Sequence, residues 1–134
     1  MLDALKVGNK VLVAIAITVG IFFLFNIQSS YGQSASLTAS EIHALLNGKV
    51  ISGNWDGKTY KQIFYKNGHT SYFTGNRPEN GKWRVNVESN RYESQWGGPS
   101  MPWSSYEIHK LDGMYFWIDR LGGRQPFSVS SEVE

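Results

Sequence analysis

Three histidines, His43, His69 and His109, and a scatter of carboxylates are the side chains in this chain that could move protons or hold a metal ion. Glu107 and His109 stand two apart in "YEIHK", a spacing that puts both on one side of a strand. General acid–base work there would need the pair within hydrogen-bond reach in a cleft. Glu107 with Asp119, or Glu93 with Glu107, would be the carboxylate pairs for hydrolysis of the glycosidase type, yet exposed strand faces carry such residues as ordinary charged surface. His43 falls on the polar side of a short helical segment and His69 directly after a turn, so solvent is the simplest environment for both. The chain has no H-E-x-x-H and no cysteine, and its histidines are not clustered, so no metal framework is expected. G-x-S-x-G is absent, and Ser104 and Ser105 sit at the start of a strand rather than on a nucleophile elbow. The glycines punctuate turns instead of forming a strand–loop–helix phosphate cradle. Neither a cofactor nor an enzymatic activity is expected.

These side chains must be carried by elements that the rest of the sequence specifies. The chain of 134 residues has room for one ordinary domain and a short appendage. Residues 11–25, "VLVAIAITVGIFFLF", are an uninterrupted apolar run after Lys6 and Lys10, followed by small residues that include Ser30 and Gly32. A span needs roughly 20 apolar residues, whereas a secretory h-region takes about 7–15. Residues 1–32 are therefore expected to be a signal peptide cleaved after Gly32. The alternative is a retained inner-membrane anchor over residues 11–27. Either leads to an exported protein, periplasmic or secreted. Beyond residue 32 there are 11 basic and 10 acidic side chains, which gives no electrostatic drive toward nucleic acid; Arg77, Arg84, Arg91 and Arg124 are interspersed with acids. Without cysteine, stability must come from burial of Trp, Tyr and Phe.

Residues 33–36 read as a flexible lead, 37–130 as the domain and 131–134 as a tail. Thr38 and Glu41 form a capping box, Leu37 and Ile42 a hydrophobic staple, and Gly48 a stop, so a helix is expected over 38–47. After Lys49, Asp56-Gly57, Asn67-Gly68, Asn80-Gly81, Ser89-Asn90, "GGPSMP", Asp112-Gly113 and Gly122-Gly123 divide the chain into about eight short strands. The fold class is mainly β, a small antiparallel meander with one short N-terminal helix. A closed barrel, which leaves no open edges, is favoured over a two-sheet sandwich.

Two-residue turns fix which side chains share a face. They pair Val87 with Tyr92, Val85 with Ser94 and Trp83 with Trp96; Gln62 with Phe73 and Phe64 with Ser71; and Trp55 with Lys58. The expected inner face then holds Ile51, Trp55, Tyr60, Phe64, Phe73 and the Trp83–Trp96 set, with Gln62, Ser71 and Ser94 among them. Such polar groups either satisfy one another or form a polar spot in a ligand cavity. In the hairpin "SYEIHKLDGMYFWIDR" both faces are largely apolar. Burying Trp117 leaves Glu107 and His109 in water and turns Met114, Phe116 and Ile118 outward as a patch that could receive a partner.

An apolar leader, then "LTASEIHALLNGKVISGNW", "YKNGHTSYF", "NGKWRV" and "YEIHKLDGMYFW" together resemble a family of small exported bacterial β-domains of unknown function, calycin-like in outline. Members carry cysteines near the segment that here reads "YESQWGGPSMPW", and this chain has none. The resemblance implies an envelope location and a β fold, and no activity. The reading that follows is a non-enzymatic binding module whose small apolar or amphipathic ligand enters beside the Gly97–Pro102 loop and meets Gln62, Trp96, Met101 and Trp103. The alternative is a protein-binding, inhibitor or envelope-complex accessory module, using Met114, Phe116 and Ile118 or a face around Ile63, Tyr65 and Tyr72.

Overall fold

A computed structural model describes residues 34–132; the leader expected over 1–32 lies outside the described residues. Strand β1 (Ala35–Ser36) precedes helix α1 (Ala39–Leu46), and eight strands follow: β2 (Lys49–Trp55), β3 (Lys58–Phe64), β4 (His69–Phe73), β5 (Pro78–Asn86), β6 (Arg91–Trp96), β7 (Ser104–Leu111), β8 (Met114–Ile118) and β9 (Arg124–Glu132). Each of β2 to β9 pairs antiparallel with the next, and β9 returns to pair with β2. The meander is thus a closed barrel rather than a sandwich. Ala35 and Ser36, expected in a flexible lead, instead pair with Lys110 and His109 of β7. Strand β6 pairs with β7 only from Tyr92↔Tyr106 to Ser94↔Ser104, so β1 continues that ladder where β6 has ended.

Turn chemistry sets the register. Asp56 and Gly57 have φ of 49° and 78°, and Asp112 and Gly113 of 49° and 81°, the doubly positive pattern of a two-residue hairpin turn. They give Trp55↔Lys58 and Leu111↔Met114, as the sequence predicts. The Asn67-Gly68 hairpin is different. Its loop has three residues, closed by Tyr65 N–H to His69 O at 2.9 Å, with Gly68 at φ 86°. An odd loop length reverses the sidedness of the strand after it. Gln62 therefore faces Tyr72 and Phe64 faces Thr70, so Tyr72 and Thr70 enter the barrel in place of the expected Phe73 and Ser71. Tyr72 is thereby lost to the expected outer face around Ile63 and Tyr65.

Two further corrections concern β5. Asn80-Gly81 is not a turn, because the strand already begins at Pro78. The hairpin after it has a four-residue loop, Val87–Asn90, tied by Asn86 Oδ1 accepting from the Glu88 and Ser89 N–H groups at 3.1 Å. The register is Gly81↔Trp96, Trp83↔Ser94 and Val85↔Tyr92, two residues from the one expected. A shift of two preserves facing, so Trp83, Tyr92 and Ser94 still point inward, while Val87 leaves the ladder and is 78% exposed.

The helix closes one end of the barrel. Thr38 Oγ1 accepts from Glu41 N–H and Glu41 Oε2 accepts from Thr38 N–H, a reciprocal cap, while Ala39 N–H donates to Asn90 Oδ1 at 2.8 Å. Two turns are marginal alone. Leu37, Ile42 and Leu46 are buried in one cluster with Ile51, Phe64, Trp83 and Ile108, and this burial holds the helix. Replacing Asn90 with alanine is expected to cost about 1–2 kcal/mol, because the first turn of α1 loses an acceptor and because alanine, unlike asparagine, is disfavoured at the φ of 54° found there. A urea melt would measure it. A cost as large for Asn90→Asp, which keeps an acceptor oxygen, would refute the assignment.

The loops at 65–68, 87–90 and 112–113 lie at the closed end with the helix. Ser34, beside β7 near its end, and Glu132, opposite Lys49, also leave the barrel there. The loops at 56–57, 74–77, 97–103 and 119–123 surround the other end, which is open.

Candidate ligand site at the open end of the barrel

A cavity of about 260 Å³ occupies the half of the barrel away from the helix. Its first wall is Trp55 of β2, Tyr60 and Gln62 of β3, Tyr72 of β4 and Glu79 of β5. The second is Tyr92, Ser94 and Trp96 of β6, Ser104 and Tyr106 of β7, and Trp117 of β8. The rings brace one another: Tyr60 stacks on Tyr72 at 5.1 Å, Trp55 meets Tyr106 edge-on at 5.8 Å, and Tyr92 lies 4.9 Å from Trp117. Trp117 in turn stacks on Phe127 at 4.8 Å. Aromatic pairs at these separations add to area burial, so the wall is held in place by its own contacts.

Hydrogen bonds link the polar groups beneath the rings. Gln62 Nε2 donates to Thr70 Oγ1 at 3.0 Å and to Tyr92 Oη at 3.1 Å, and Thr70 Oγ1 donates to the Ile63 carbonyl at 2.8 Å. Tyr92 also hydrogen-bonds Ser94, whose Oγ accepts from Trp96 Nε1 at 3.1 Å. Trp117 Nε1 donates to Tyr60 Oη at 2.9 Å. Gln62 is therefore bonded to its neighbours, the first of the two roles weighed from the sequence, and it also faces the cavity. Burial pushes the Tyr60 phenol up to about 12, against the Trp117 hydrogen bond and with the help of Tyr72; burial raises Tyr92 as well. Both phenols are neutral at physiological pH and act as hydrogen-bonding groups without charge.

Of the residues expected to meet a ligand, Gln62 and Trp96 line this cavity and Met101 and Trp103 do not. Ser104 points in, so its neighbour Trp103 points out, where the Arg84 guanidinium lies 4.0 Å above its ring. Met101 is 47% exposed on the 97–103 loop, and its carbonyl accepts from Gln95 Nε2 at 2.7 Å. Gln95 also donates to the Pro99 carbonyl, so this buried amide pins the loop to the outer wall. Glu79, Tyr72 and Ser104 were not anticipated. Alternation counted back from Trp83 through Gly81 reaches Glu79 on the same face, a signal hidden by reading Asn80-Gly81 as a turn.

Trp117 is buried and its face is the inner one, so Met114, Phe116 and Ile118 point outward. They do not form an open row: Met114 is 55% exposed, Ile118 half-buried and Phe116 only 8% exposed. On the same outer side Glu107 is 3.0 Å from His109 Nε2, and Ser34 Oγ is 2.8 Å from His109 Nδ1. Glu107 also pairs with Arg91 at 2.5 Å, and none of these residues lines the cavity. The line fastens β1 to β7. Glu93 pairs with Arg84 at 2.6 Å, and Asp119 accepts the Leu121 and Gly123 N–H groups at 2.9 and 2.7 Å, so the carboxylates considered as pairs each have local partners. Among the described residues, no group of three or more His, Cys, Asp or Glu side chains could hold a metal ion, and no helix is long and apolar enough to cross a membrane.

The chain matches no family model, no curated protein and no solved structure. The resemblance to small exported β-domains therefore rests on the quoted segments alone.

Proposed function

We propose that this protein is a binding module that takes a small, largely apolar or amphipathic molecule into the open end of its barrel. The observation that carries the reading is the division of the barrel interior. Small eight-stranded barrels are nearly filled by their own side chains. Here Phe64, Trp83, Ile51 and the helix fill one half, while the other holds an open aromatic cavity. Its volume lies just under the roughly 300–1,000 Å³ of drug-sized sites, which suits a small molecule or one end of a longer one. A non-enzymatic role is compatible with this fold, and the groups with local partners described above favour it. Export to the cell envelope, expected from the leader, belongs to the same proposal. Protein docking on the Met114 row is the weaker reading, since Phe116 at its centre is covered.

Three of the five tryptophans, Trp55, Trp96 and Trp117, line the cavity. Titration with the neutral lipophilic probe N-phenyl-1-naphthylamine should therefore change tryptophan emission saturably, with one site per chain. An emission that stays flat up to the solubility limit of the probe would discard the reading.

A further inference from the structure

The charge of the cavity lining is one-sided. Seven of its eleven residues present aromatic rings, three are the neutral Gln62, Ser94 and Ser104, and the remaining one is Glu79. Lys, Arg and His are absent from the lining. Ring faces carry negative electrostatic potential and attract cations. Glu79 lies directly across the ladder from Tyr72, and among the described residues it makes no ion pair. The Tyr72 phenol is held above its ordinary value first by burial and then by the negative charges of Glu79 and Asp56, so both carboxylates act on this side of the opening. Glu79 is exposed at the rim, as are Lys58, Arg77 and Arg120, and of these four only Glu79 lines the cavity. An anion entering it would lose water and meet a carboxylate with no cationic partner. A cation would exchange its hydration for several ring faces and one negative group.

We propose that the open end of the barrel selects an organic cation, a small quaternary or alkylated ammonium group, which sits among the rings with its charge toward Glu79. The volume equals that of roughly nine waters, enough for an ammonium head with a short chain. This assignment rests on the reading that the cavity binds a ligand, and it narrows that reading to one chemical class.

The test compares choline with its uncharged carbon isostere, 3,3-dimethylbutan-1-ol, by calorimetry and tryptophan emission, with N-phenyl-1-naphthylamine as reference. Choline should bind about tenfold more tightly than the isostere, a difference within the range of desolvated cation–π contacts. Glu79→Gln should weaken choline several-fold more than it weakens the isostere or the reference probe. Equal or tighter binding of the isostere, or an unchanged choline affinity in Glu79→Gln, overturns the cation assignment while binding of the reference probe keeps the cavity as a ligand site. Silence from all three compounds overturns both.

Discussion

Phe64→Ala should lower the unfolding free energy by about 3–5 kcal/mol, the range for deleting a fully buried aromatic ring from a packed core. Phe64 has no exposed surface. Its ring meets Trp83 edge-on at 5.4 Å and Tyr92 at 5.8 Å, so it separates the helix-filled half of the barrel from the open half. Domains of this size are typically stable by about 5–15 kcal/mol, and the substitution would consume a large part of that. The transition midpoint in guanidinium chloride should fall with the slope kept, since the surface exposed on unfolding barely changes. The same substitution should extend the cavity downward and loosen Tyr92, which holds Gln62. A loss under about 1 kcal/mol would mean that the floor is not packed as described, and the helix would lose its assigned seat.

Gly81→Val should weaken ligand uptake sharply while leaving the chain folded. A Cβ at residue 81 would lie 2.5 Å from a Trp96 ring carbon and 2.6 Å from the Gln95 carbonyl oxygen. Trp96 covers Gly81 across the ladder, the arrangement in which an aromatic side chain compensates for a glycine in a sheet. A side chain at 81 must push the indole off the cavity wall or bend the β5–β6 ladder. Overpacking of this kind costs about 1–3 kcal/mol, less than a domain of typical stability can bear. Probe affinity should drop at least tenfold, and Gly75→Ala, at a loop position with open space around it, should change neither affinity nor midpoint. Wild-type affinity in Gly81→Val would remove Trp96 from the binding wall.

How much of this was legible in the sequence depends on where each signal originates. The helix was readable because Thr38, Glu41, Leu37 and Ile42 cap and staple it within one turn. The hairpins at Asp56-Gly57 and Asp112-Gly113 were readable because a doubly positive φ admits few residues. Asn67-Gly68 looks the same in sequence but serves a three-residue loop, and only the structure shows the parity that brings Tyr72 inward. Gly81 misled for another reason: it is a glycine because Trp96, fifteen residues on, needs the space. Reading it as a turn started the strand too late to include Glu79. Closure of the barrel depends on β2 meeting β9, a pairing of segments about eighty residues apart, as in Val50↔Ser130, which no local pattern encodes.

Ser34 and Glu132 leave the barrel beside the helix, opposite the cavity. A tether attached at either of these two positions therefore lies at the end of the barrel away from the aromatic opening.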